Sequence, residues 1–551
     1  MPVFSAHTAS VAASLLLATQ VSATTYLAPE QVINLPDSSS ASKPLEWLGA
    51  NSPYFAGPNV HGISRDVPEG CVVDQVAIVS RHGSRFPDSG AYAQWTTLQA
   101  KIANATFEAS GSLAFLETWK PVLTNPSAQM SQESPTGYKE AYDLGYTVRT
   151  RYPDLYQYGS PFISWANLYP RVVQTARNFV RGFLGHLADD LATVITVNST
   201  GSPDAFFDSL SPSDLCPAFV DGNGGTYATE WNSIYLPPIT ERLNALISGN
   251  LTLSDTDVSI IPYLCGYESQ ITGTLSPFCN VFSNAELEKY EYAQSLRYYY
   301  GIGPGEDLPS KMMIPFLNKL VDILAGGPGQ NGTFANGTSF TLPSIITTFL
   351  NDGQLTELGA ASGVWDDEAP LSGTTMTKGR KYYASHFVTQ RGLFSIERLT
   401  CSSKAGTQAV KRSNHNKRKP MPFGAPIVAR DTNNSTVVAY PSSFVTSGTA
   451  PASSATATST PSAPSTPSAG NSTYVRILLN DAVYPLPSCH AGPGKSCLLD
   501  TYVKYVADKL AAVGSYHDAC NVTNTAVPTT DPKGASFFFN LGESWLAEVA
   551  P

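Results

Sequence analysis

The stretch "VAIVSRHGSRFPDSG", from Val76 to Gly90, decides the fold of this 551-residue chain. Its first half is a β-branched run without a polar face, as in a strand that is covered on both sides of its sheet. Arg81, His82 and Arg85 follow the end of that strand. Because ligands bind at the carboxyl ends of strands in open α/β sheets, the stretch predicts an α/β protein with a binding site around His82.

Two arginines beside a histidine indicate phosphate chemistry. A guanidinium group offers forked donors that match phosphate oxygens, a geometry that lysine does not reproduce. The histidine can serve as a general base, a nucleophile or a structural hydrogen-bonding group. Neighbouring cations disfavour the charged imidazole, which predicts that His82 is neutral and nucleophilic toward phosphorus. A solvated loop with ordinary charges is the alternative interpretation.

A second cationic element is predicted in "YPRVVQTARNFVRGFLGHL", whose apolar residues recur at helical spacing. Arg171 falls in the first turn of this helix, directly after Pro170. A helix start favours bound anions through its free amide groups and its dipole. Arg171 is therefore a candidate phosphate ligand, with a solvated arginine as the alternative.

Several patches of the chain together resemble one known family. "RHGSRFP" is similar to the RHGxRxP signature of the histidine acid phosphatases, the branch of the histidine phosphatase superfamily that includes fungal phytases. The other matching patches are "ANSPYF", "VPEGCVVDQVAIVS", "PRVVQTARNFVRGF", "GLFSIERLTC" and "YVRILLNDAVYPLPSC". The resemblance spans about Asn51 to Cys520. It implies a phosphoglycerate mutase-like α/β fold, with a mostly parallel sheet flanked by helices and a smaller helical subdomain within about 95–320.

The resemblance also implies the roles of the residues at the signature. The family's nucleophile falls on His82, which would form a phosphohistidine that water then hydrolyses. Arg81, Arg85 and Arg171 would hold the transferred phosphoryl group and stabilise its charge. No cofactor and no metal is expected.

Eight cysteines, an even number, favour disulfides in an oxidising compartment. Their number alone leaves roughly a hundred connectivities open. The pairs implied by the resemblance are Cys71 with Cys401, Cys216 with Cys520, Cys265 with Cys279, and Cys489 with Cys497.

The general acid is the one family element without a literal match. The family uses a His-Asp pair, but here His517 and Asp518 lie too close to the last cysteine. At the expected position, the β-branched run from Ile345 to Leu350 is followed by Asn351 and Asp352, and then by a predicted helix that starts near Gly353. Asp352 is therefore the candidate general acid and Asn351 the phosphate-binding substitute for histidine. Asp481, in a second Asn-Asp pair, is predicted to be structural.

The substrate class is predicted from the segment after the signature. Fungal phytases that resemble this chain often carry lysines there, but "DSGAYAQWTTLQAK" has no basic residue before Lys101. Complementarity to a polyanion is weak at this position. The sequence thus favours a broad acid phosphatase for small phosphate monoesters, with phytate as a candidate substrate. The alternatives are a phosphoglycerate mutase-like enzyme, disfavoured by the secretory features, and a catalytically degenerate secreted or cell-wall glycoprotein.

Other features predict export. Residues 1–23, ending in "VAASLLLATQVSA", are typical of a signal peptide, and no later segment is long and apolar enough to span a membrane. A net charge of −10 argues against nucleic acid as a partner. Asn-x-Ser/Thr glycosylation signals occur at Asn104, Asn198, Asn250, Asn331, Asn336, Asn434, Asn471 and Asn521.

The domain organisation has two exceptions to a continuous globular pattern. Residues 404–473 are predicted to form an insertion, because their end, from Ser442, is nearly all Ser, Thr, Pro and Ala, a composition that cannot bury enough apolar area to order itself. Within the insertion, Lys411 to Pro420 is a basic run, interpreted as a solvated loop or a dibasic processing site. Residues 521–551 extend past the resemblance, and the sequence assigns them no role.

Overall fold

The computed structural model describes residues 43–402, 471–529 and 534–551. The predicted signal peptide, the basic run and residues 404–470 of the predicted insertion lie outside these residues. The strands are β1 (Cys71–Arg81), β2 (Phe107–Ala109), β3 (Phe162–Asn167), β4 (Ala192–Val197), β5 (Ile247–Gly249), β6 (Asn331–Thr333), β7 (Ser339–Thr341), β8 (Ile345–Leu350), β9 (Leu393–Ser402), β10 (Asn471–Leu479), β11 (Ala482–Tyr484), β12 (Cys497–Leu498) and β13 (Leu546–Val549).

The α-helices of the same described residues are α1 (Ser89–Ala103), α2 (Pro126–Gln129), α3 (Pro135–Arg151), α4 (Pro170–Leu184), α5 (Ala188–Leu191), α6 (Asn223–Asn244), α7 (Asp255–Ser259), α8 (Ile261–Thr272), α9 (Asn284–Ile302), α10 (Pro309–Met312), α11 (Ile314–Gly326), α12 (Asp352–Ser362), α13 (Leu499–Val513) and α14 (Tyr516–Ala519). No helix among the described residues has both the length and the apolar character that crossing a membrane requires.

The core of the fold is one large sheet with the strand order β11-β10-β9-β1-β8-β3-β4-β13, and β12 pairs with β10. The central strands β1, β8, β3 and β4 run parallel to one another. The strands that flank them pair in antiparallel fashion. The predicted α/β class, with a sheet flanked by helices, is confirmed, and the parallel part occupies the centre of the sheet.

The apolar runs explain why the central strands form there. β8 is buried along its whole length, as is the second half of β1, so neither strand presents a polar face. The helix α4 packs one apolar side, including Val172, Phe179 and Phe183, against this sheet. Burial on both faces is what a β-branched run without alternation predicts.

From α6 to α11 the chain is mostly helical, and most of this segment lies within the range where a helical subdomain is expected. Strands β3 and β4 also fall inside the range of about 95–320, and they belong to the central sheet. These two strands pair over six residues, from Phe162 opposite Ala192 to Asn167 opposite Val197. Helices therefore occur both before β3 and after β4 within this range.

The four disulfides of the described residues link Cys71–Cys401, Cys216–Cys520, Cys265–Cys279 and Cys489–Cys497. They are the same pairs that the resemblance implies.

Two boundaries predicted from composition differ from the structure. Strand β10 begins at Asn471, so the last three residues of the predicted insertion, 471–473, belong to the sheet. These three residues lie opposite Ser402, Cys401 and Thr400 of β9, in that order. The pairing supplies backbone hydrogen bonds, which side-chain composition does not reveal. The extension 521–551 also enters the fold, since β13 pairs with β4 and closes that edge of the sheet.

Candidate active site

Three neighbouring parallel strands bring the predicted site residues together. β1 ends at Arg81 and is followed by His82, and β8 ends at Leu350 and is followed by Asn351. β3 leads into α4, whose first turn carries Arg171. Because β1, β8 and β3 are adjacent and parallel, the three carboxyl ends meet at one edge of the sheet.

The His82 imidazole is buried, and its Nδ1 lies 2.8 Å from the carbonyl oxygen of Gly83. A carbonyl oxygen only accepts hydrogen bonds, so Nδ1 carries the hydrogen and the lone pair is on Nε2. Burial, followed by the charges of Arg171, Arg81 and Arg85, holds the pKa of His82 well below its usual value. The ring is therefore neutral even in acid and presents Nε2 as a nucleophile.

Arg81 is 2% exposed, and its Nη1 donates to the carbonyl oxygens of Ala50 and Val388, each at 2.7 Å. These two bonds fix the plane of the guanidinium group, and Nη2 lies 3.5 Å from Asp352 Oδ2. The chain segment around Ala50 thus supports the site, which the sequence did not indicate because a carbonyl oxygen leaves no signal in residue type.

Arg85 and Arg171 hold their positions by different contacts. Arg85 Nη1 donates to its neighbour's carbonyl oxygen at 3.0 Å, and its guanidinium group lies 5.6 Å from the centre of the Tyr267 ring. Arg171 Nη2 donates to Asn351 Oδ1 at 3.0 Å. The Nε atoms of Arg81, Arg85 and Arg171 are buried and have no hydrogen-bond partner among the described residues, so they can donate to an anion.

The other two arginines of the site affect the ionisation of Arg171. Burial, together with Arg85 and Arg81, lowers the pKa of Arg171 to about 10. The guanidinium group is still charged at acidic and neutral pH. Three like charges held this close favour an anion between them.

Asp352 is the first residue of α12, and Asn351 is its N-cap. Tyr298 donates a hydrogen bond of 2.5 Å from its hydroxyl to Asp352 Oδ2. Burial alone would raise the pKa of Asp352, but the Arg81 cation and the Tyr298 hydrogen bond hold it below its usual range. The carboxylate is consequently ionised in the free site at all but strongly acidic pH.

Helix α4 and the segment before α3 hold the loop of residues 82–85, which follows β1, through side-chain hydrogen bonds. Thr175 Oγ1 accepts a hydrogen bond from the Gly83 amide at 2.9 Å and donates to Glu133 Oε1 at 2.7 Å. A side chain at Gly83 would place its Cβ 2.8 Å from the carbonyl oxygen of Gly137, closer than real contacts allow. Thr175 lies one turn after Arg171, so the helical period could have identified it.

Glu140, on α3, holds the next residue of the loop. Its carboxyl group accepts hydrogen bonds from Ser84, from the amide at 2.8 Å and from the hydroxyl at 3.1 Å. Burial raises the pKa of Glu140. Thr175 and Glu140 therefore fix the backbone directly after His82.

The other polar pairs of the sequence are elsewhere. Asp481 accepts a hydrogen bond from the Tyr54 hydroxyl at 2.7 Å and lies 3.6 Å from Arg151, as a structural residue would. His517 and Asp518 belong to the short helix α14, beside the disulfide at Cys520, and the Asp518 side chain is exposed.

A cavity of about 330 Å³ lies among the helices α1, α6, α8 and α9, and some of its lining residues are next to residues that contact the site. Its wall includes Asn51, which follows Ala50, and Tyr263, whose ring packs against Tyr267 at 4.6 Å. Arg297 also lines it and is bonded to Asp221 at 2.5 and 2.6 Å. The remaining polar lining side chains among the described residues are Gln94, Asn232, Tyr235, Ser259, Tyr290 and Gln294.

Comparison with known proteins gives the class and then the family. The fold is shared with the phytase from D. castellii, at a TM-score of 0.68 and 23% sequence identity over 88% of this chain and 89% of that one. Residues 72–414, more than half of the chain, match the sequence model of the histidine phosphatase superfamily, branch 2. The chain belongs to this family, and the predicted resemblance is confirmed.

Curated relatives cover most of the chain. Phytase PHO112 of Candida albicans is 26% identical over 488 residues, which are 87% of this chain and 87% of the relative. The Repressible acid phosphatase of Saccharomyces cerevisiae is 25% identical over 495 residues, or 88% and 87% of the two chains. Relatives of the chain are thus named as phosphatases and as phytases.

Proposed function

We propose that this protein is a secreted acid phosphatase that hydrolyses phosphate monoesters through a phosphohistidine on His82. The observation that carries the proposal is the neutral His82 ring, with its lone pair on Nε2, among Arg81, Arg85 and Arg171. Attack on a phosphate ester requires a nucleophile with a free lone pair. It also requires cationic groups that stabilise the negative charge of the phosphoryl group in the transition state.

The reaction proceeds in two displacements. His82 Nε2 attacks phosphorus while Asp352 donates its proton to the departing ester oxygen, which leaves as an alcohol. Water then attacks the phosphohistidine, Asp352 takes a proton from that water, and inorganic phosphate leaves with His82 restored. The arginines bind the equatorial oxygens in both steps.

The acidic optimum follows from two groups. Asp352 must be protonated to act, although Arg81 and Tyr298 lower its pKa, so activity rises as the pH falls. His82 keeps its lone pair in acid because burial and the arginines lower its pKa. A bound phosphate ester pairs with the Arg81 cation and places negative charge beside Asp352. Both effects raise the pKa of the Asp352 carboxyl group and favour its protonation.

We assign the alcohol part of the ester to the cavity that Asn51, Tyr263 and Arg297 line, and the lining of this cavity predicts the substrate preference. Its only cation among the described lining residues, Arg297, is already paired with Asp221. Tyrosine, asparagine and glutamine side chains suit a hydroxylated or aromatic alcohol. We therefore expect simple monoesters to be better substrates than phytate, which brings further phosphate groups.

Export is part of the proposal. Residues 1–23 have the pattern of a signal peptide, and four disulfides form among the described residues, as in proteins of oxidising compartments. A non-catalytic secreted or cell-wall glycoprotein is the second candidate function, favoured by the asparagine at position 351.

Phosphate release by the purified protein from p-nitrophenyl phosphate, β-glycerophosphate and phytate tests the proposal. We expect release that increases toward acid pH, loss of all activity in His82→Ala, and about a hundredfold loss on β-glycerophosphate in Asp352→Ala. His517→Ala and Asp518→Ala are matched controls outside the site and should keep wild-type rates. No release by the wild type would favour the non-catalytic glycoprotein instead.

A further inference from the structure

The two carboxyl oxygens of Asp352 have different surroundings. Oδ2 accepts the hydrogen bond from the Tyr298 hydroxyl at 2.5 Å and lies 3.5 Å from Arg81 Nη2. Oδ1 accepts no hydrogen bond from the described residues, and the Asp352 side chain remains 29% exposed. Oδ1 is therefore the carboxyl oxygen that we expect a bound ester to contact.

The surroundings of Tyr298 favour its role as the hydrogen-bond donor to Asp352. Its ring is buried near the end of α9, and the adjacent Arg297 is tied to Asp221 by two charge-assisted hydrogen bonds. Burial, and after it the charge of Asp352, raises the pKa of the Tyr298 hydroxyl well above 10. The phenol thus keeps its proton throughout the working range and acts only as a donor to the carboxyl group.

We propose that Tyr298 is a positioning residue for Asp352: its hydroxyl anchors Oδ2 and thereby directs Oδ1, with its proton, at the leaving ester oxygen. The inference rests on the proposed function, in which Asp352 is the general acid. In the first step, the proton moves from Asp352 Oδ1 to the ester oxygen as the phosphorus–oxygen bond breaks and the bond to His82 Nε2 forms. Tyr298 keeps its own proton and stabilises the carboxylate that remains.

This arrangement affects the strength of the acid as well as its direction. Groups that influence the charge of Asp352 are Arg81, His82 and Arg85 from the signature, Arg171 from α4, and Tyr298 with Arg297 from α9. Of these, Tyr298 is the one that forms a hydrogen bond with the carboxyl group. Removing its hydroxyl leaves the arginine charges in place and makes Asp352 a weaker acid.

The test compares Tyr298→Phe with Tyr299→Phe, which removes a hydroxyl from the neighbouring buried ring, whose centre lies 5.2 Å from that of Tyr382. For β-glycerophosphate, whose alcohol is a poor leaving group, we expect Tyr298→Phe to lower kcat about tenfold. For p-nitrophenyl phosphate, which leaves without a proton, we expect less than about a twofold change. The alkaline limb of the kcat profile on β-glycerophosphate should move to higher pH, because the weaker acid stays protonated longer. Tyr299→Phe should change none of these values.

A double variant separates positioning from a structural role. In an Asp352→Asn background, adding Tyr298→Phe should have almost no further effect on β-glycerophosphate turnover, because the two residues act as a unit. If Tyr298→Phe does not fold, Tyr298→Met takes its place as a second variant without a hydroxyl. Equal losses on both substrates with an unmoved pH limb, or wild-type kinetics on both, would overturn the inference. Absence of phosphate release by the wild type would instead overturn the proposed function.

Discussion

Asn351 Oδ1 accepts a hydrogen bond from Arg171 Nη2 at 3.0 Å, so this amide holds one of the arginines of the site in place. The other half of the amide group can donate to a phosphate oxygen, as the family's histidine is expected to do. An amide donor lacks the charge of an imidazolium ion, and the difference is about 1 kcal/mol, or less than tenfold in rate. Asparagine at this position is therefore compatible with catalysis.

Replacement of Asn351 tests that contribution. Asn351→Ala removes both the anchor of Arg171 and a phosphate donor, and should lower kcat/KM about five- to tenfold on every substrate. Asn351→Asp keeps the shape but adds a negative charge beside the bound anion, and should cause a larger loss that diminishes toward strongly acidic pH. Steady-state kinetics on p-nitrophenyl phosphate across acidic to neutral pH measure both variants. An Asn351→Asp variant more active than Asn351→Ala above pH 5 would contradict this role.

At the scale of residues, the sequence identifies side chains whose type is itself a signal. His82, the arginines and the Asn351-Asp352 pair follow strand ends or begin a helix, and local patterns locate both. Tyr298 is one of 27 tyrosines and comes to Asp352 from another part of the chain, 54 residues away. Nothing local distinguishes it, because its role depends on the approach of α9 to α12.

At the scale of elements, each site residue inherits its position from a strand or helix end. β1 and β8 are predictable because an uninterrupted β-branched run requires burial on both faces, and α4 because its apolar residues recur every three to four positions. The pairing partner β3 is not predictable in this way, since the order of strands in a sheet depends on contacts far apart in sequence. The sheet order nonetheless decides that Arg171 and His82 meet.

Helix α12 also contains a buried acid that the proposed reaction does not use. Glu357 is fully buried, and neither carboxyl oxygen has a hydrogen-bond partner among the described residues. Burial, with smaller contributions from Asp214 and Asp221, raises its pKa well above the usual value. The folded protein thus retains a proton that the unfolded chain releases above about pH 4.3.

The proton on Glu357 makes the free energy of unfolding decrease as the pH rises. Because the pKa of Glu357 is raised in the folded state, its proton favours folding at acid pH, and stability falls as the pH rises above about 4.3, by about 1.4 kcal/mol per pH unit. Glu357→Gln cannot ionise and should lose less stability than the wild type between acid and neutral pH. Urea unfolding at several pH values measures the difference, with the exposed Glu108→Gln as control. Parallel pH profiles for wild type and Glu357→Gln would show that Glu357 does not carry the effect.

At the scale of the whole molecule, the two ends of the described chain complete the site and the sheet. Residues 48–52 contact the signature through Ala50, and the segment after the last cysteine packs beneath β3. The family resemblance includes the first, through "ANSPYF", but it ends before the second and gives that segment no role. The apolar residues of that second segment become meaningful only once β4 is known to be the edge strand that β13 covers.

Phe538 shows how deeply this segment enters the core. Its side chain is fully buried, and its ring lies 5.0 Å from that of Trp165 in an edge-on contact. Trp165 belongs to β3, and its Nε1 donates to the carbonyl oxygen of Phe537 at 3.2 Å. Since β3 leads directly to the helix that carries Arg171, the segment supports the scaffold of the site.

Truncation of Phe538 should therefore act on the whole domain. Phe538→Ala leaves a large cavity against Trp165 and should reduce the free energy of unfolding by about 3–5 kcal/mol. Phe539→Ala is the matched control, because this neighbouring ring is only half-buried and its loss should cost clearly less. Urea midpoints at one acidic pH, followed by both tryptophan fluorescence and phosphatase activity, measure the two variants. Equal midpoints would mean that residues 534–551 are an appendage, whereas a joint loss of fluorescence and activity at lower urea in Phe538→Ala would identify them as part of one cooperative unit with the site.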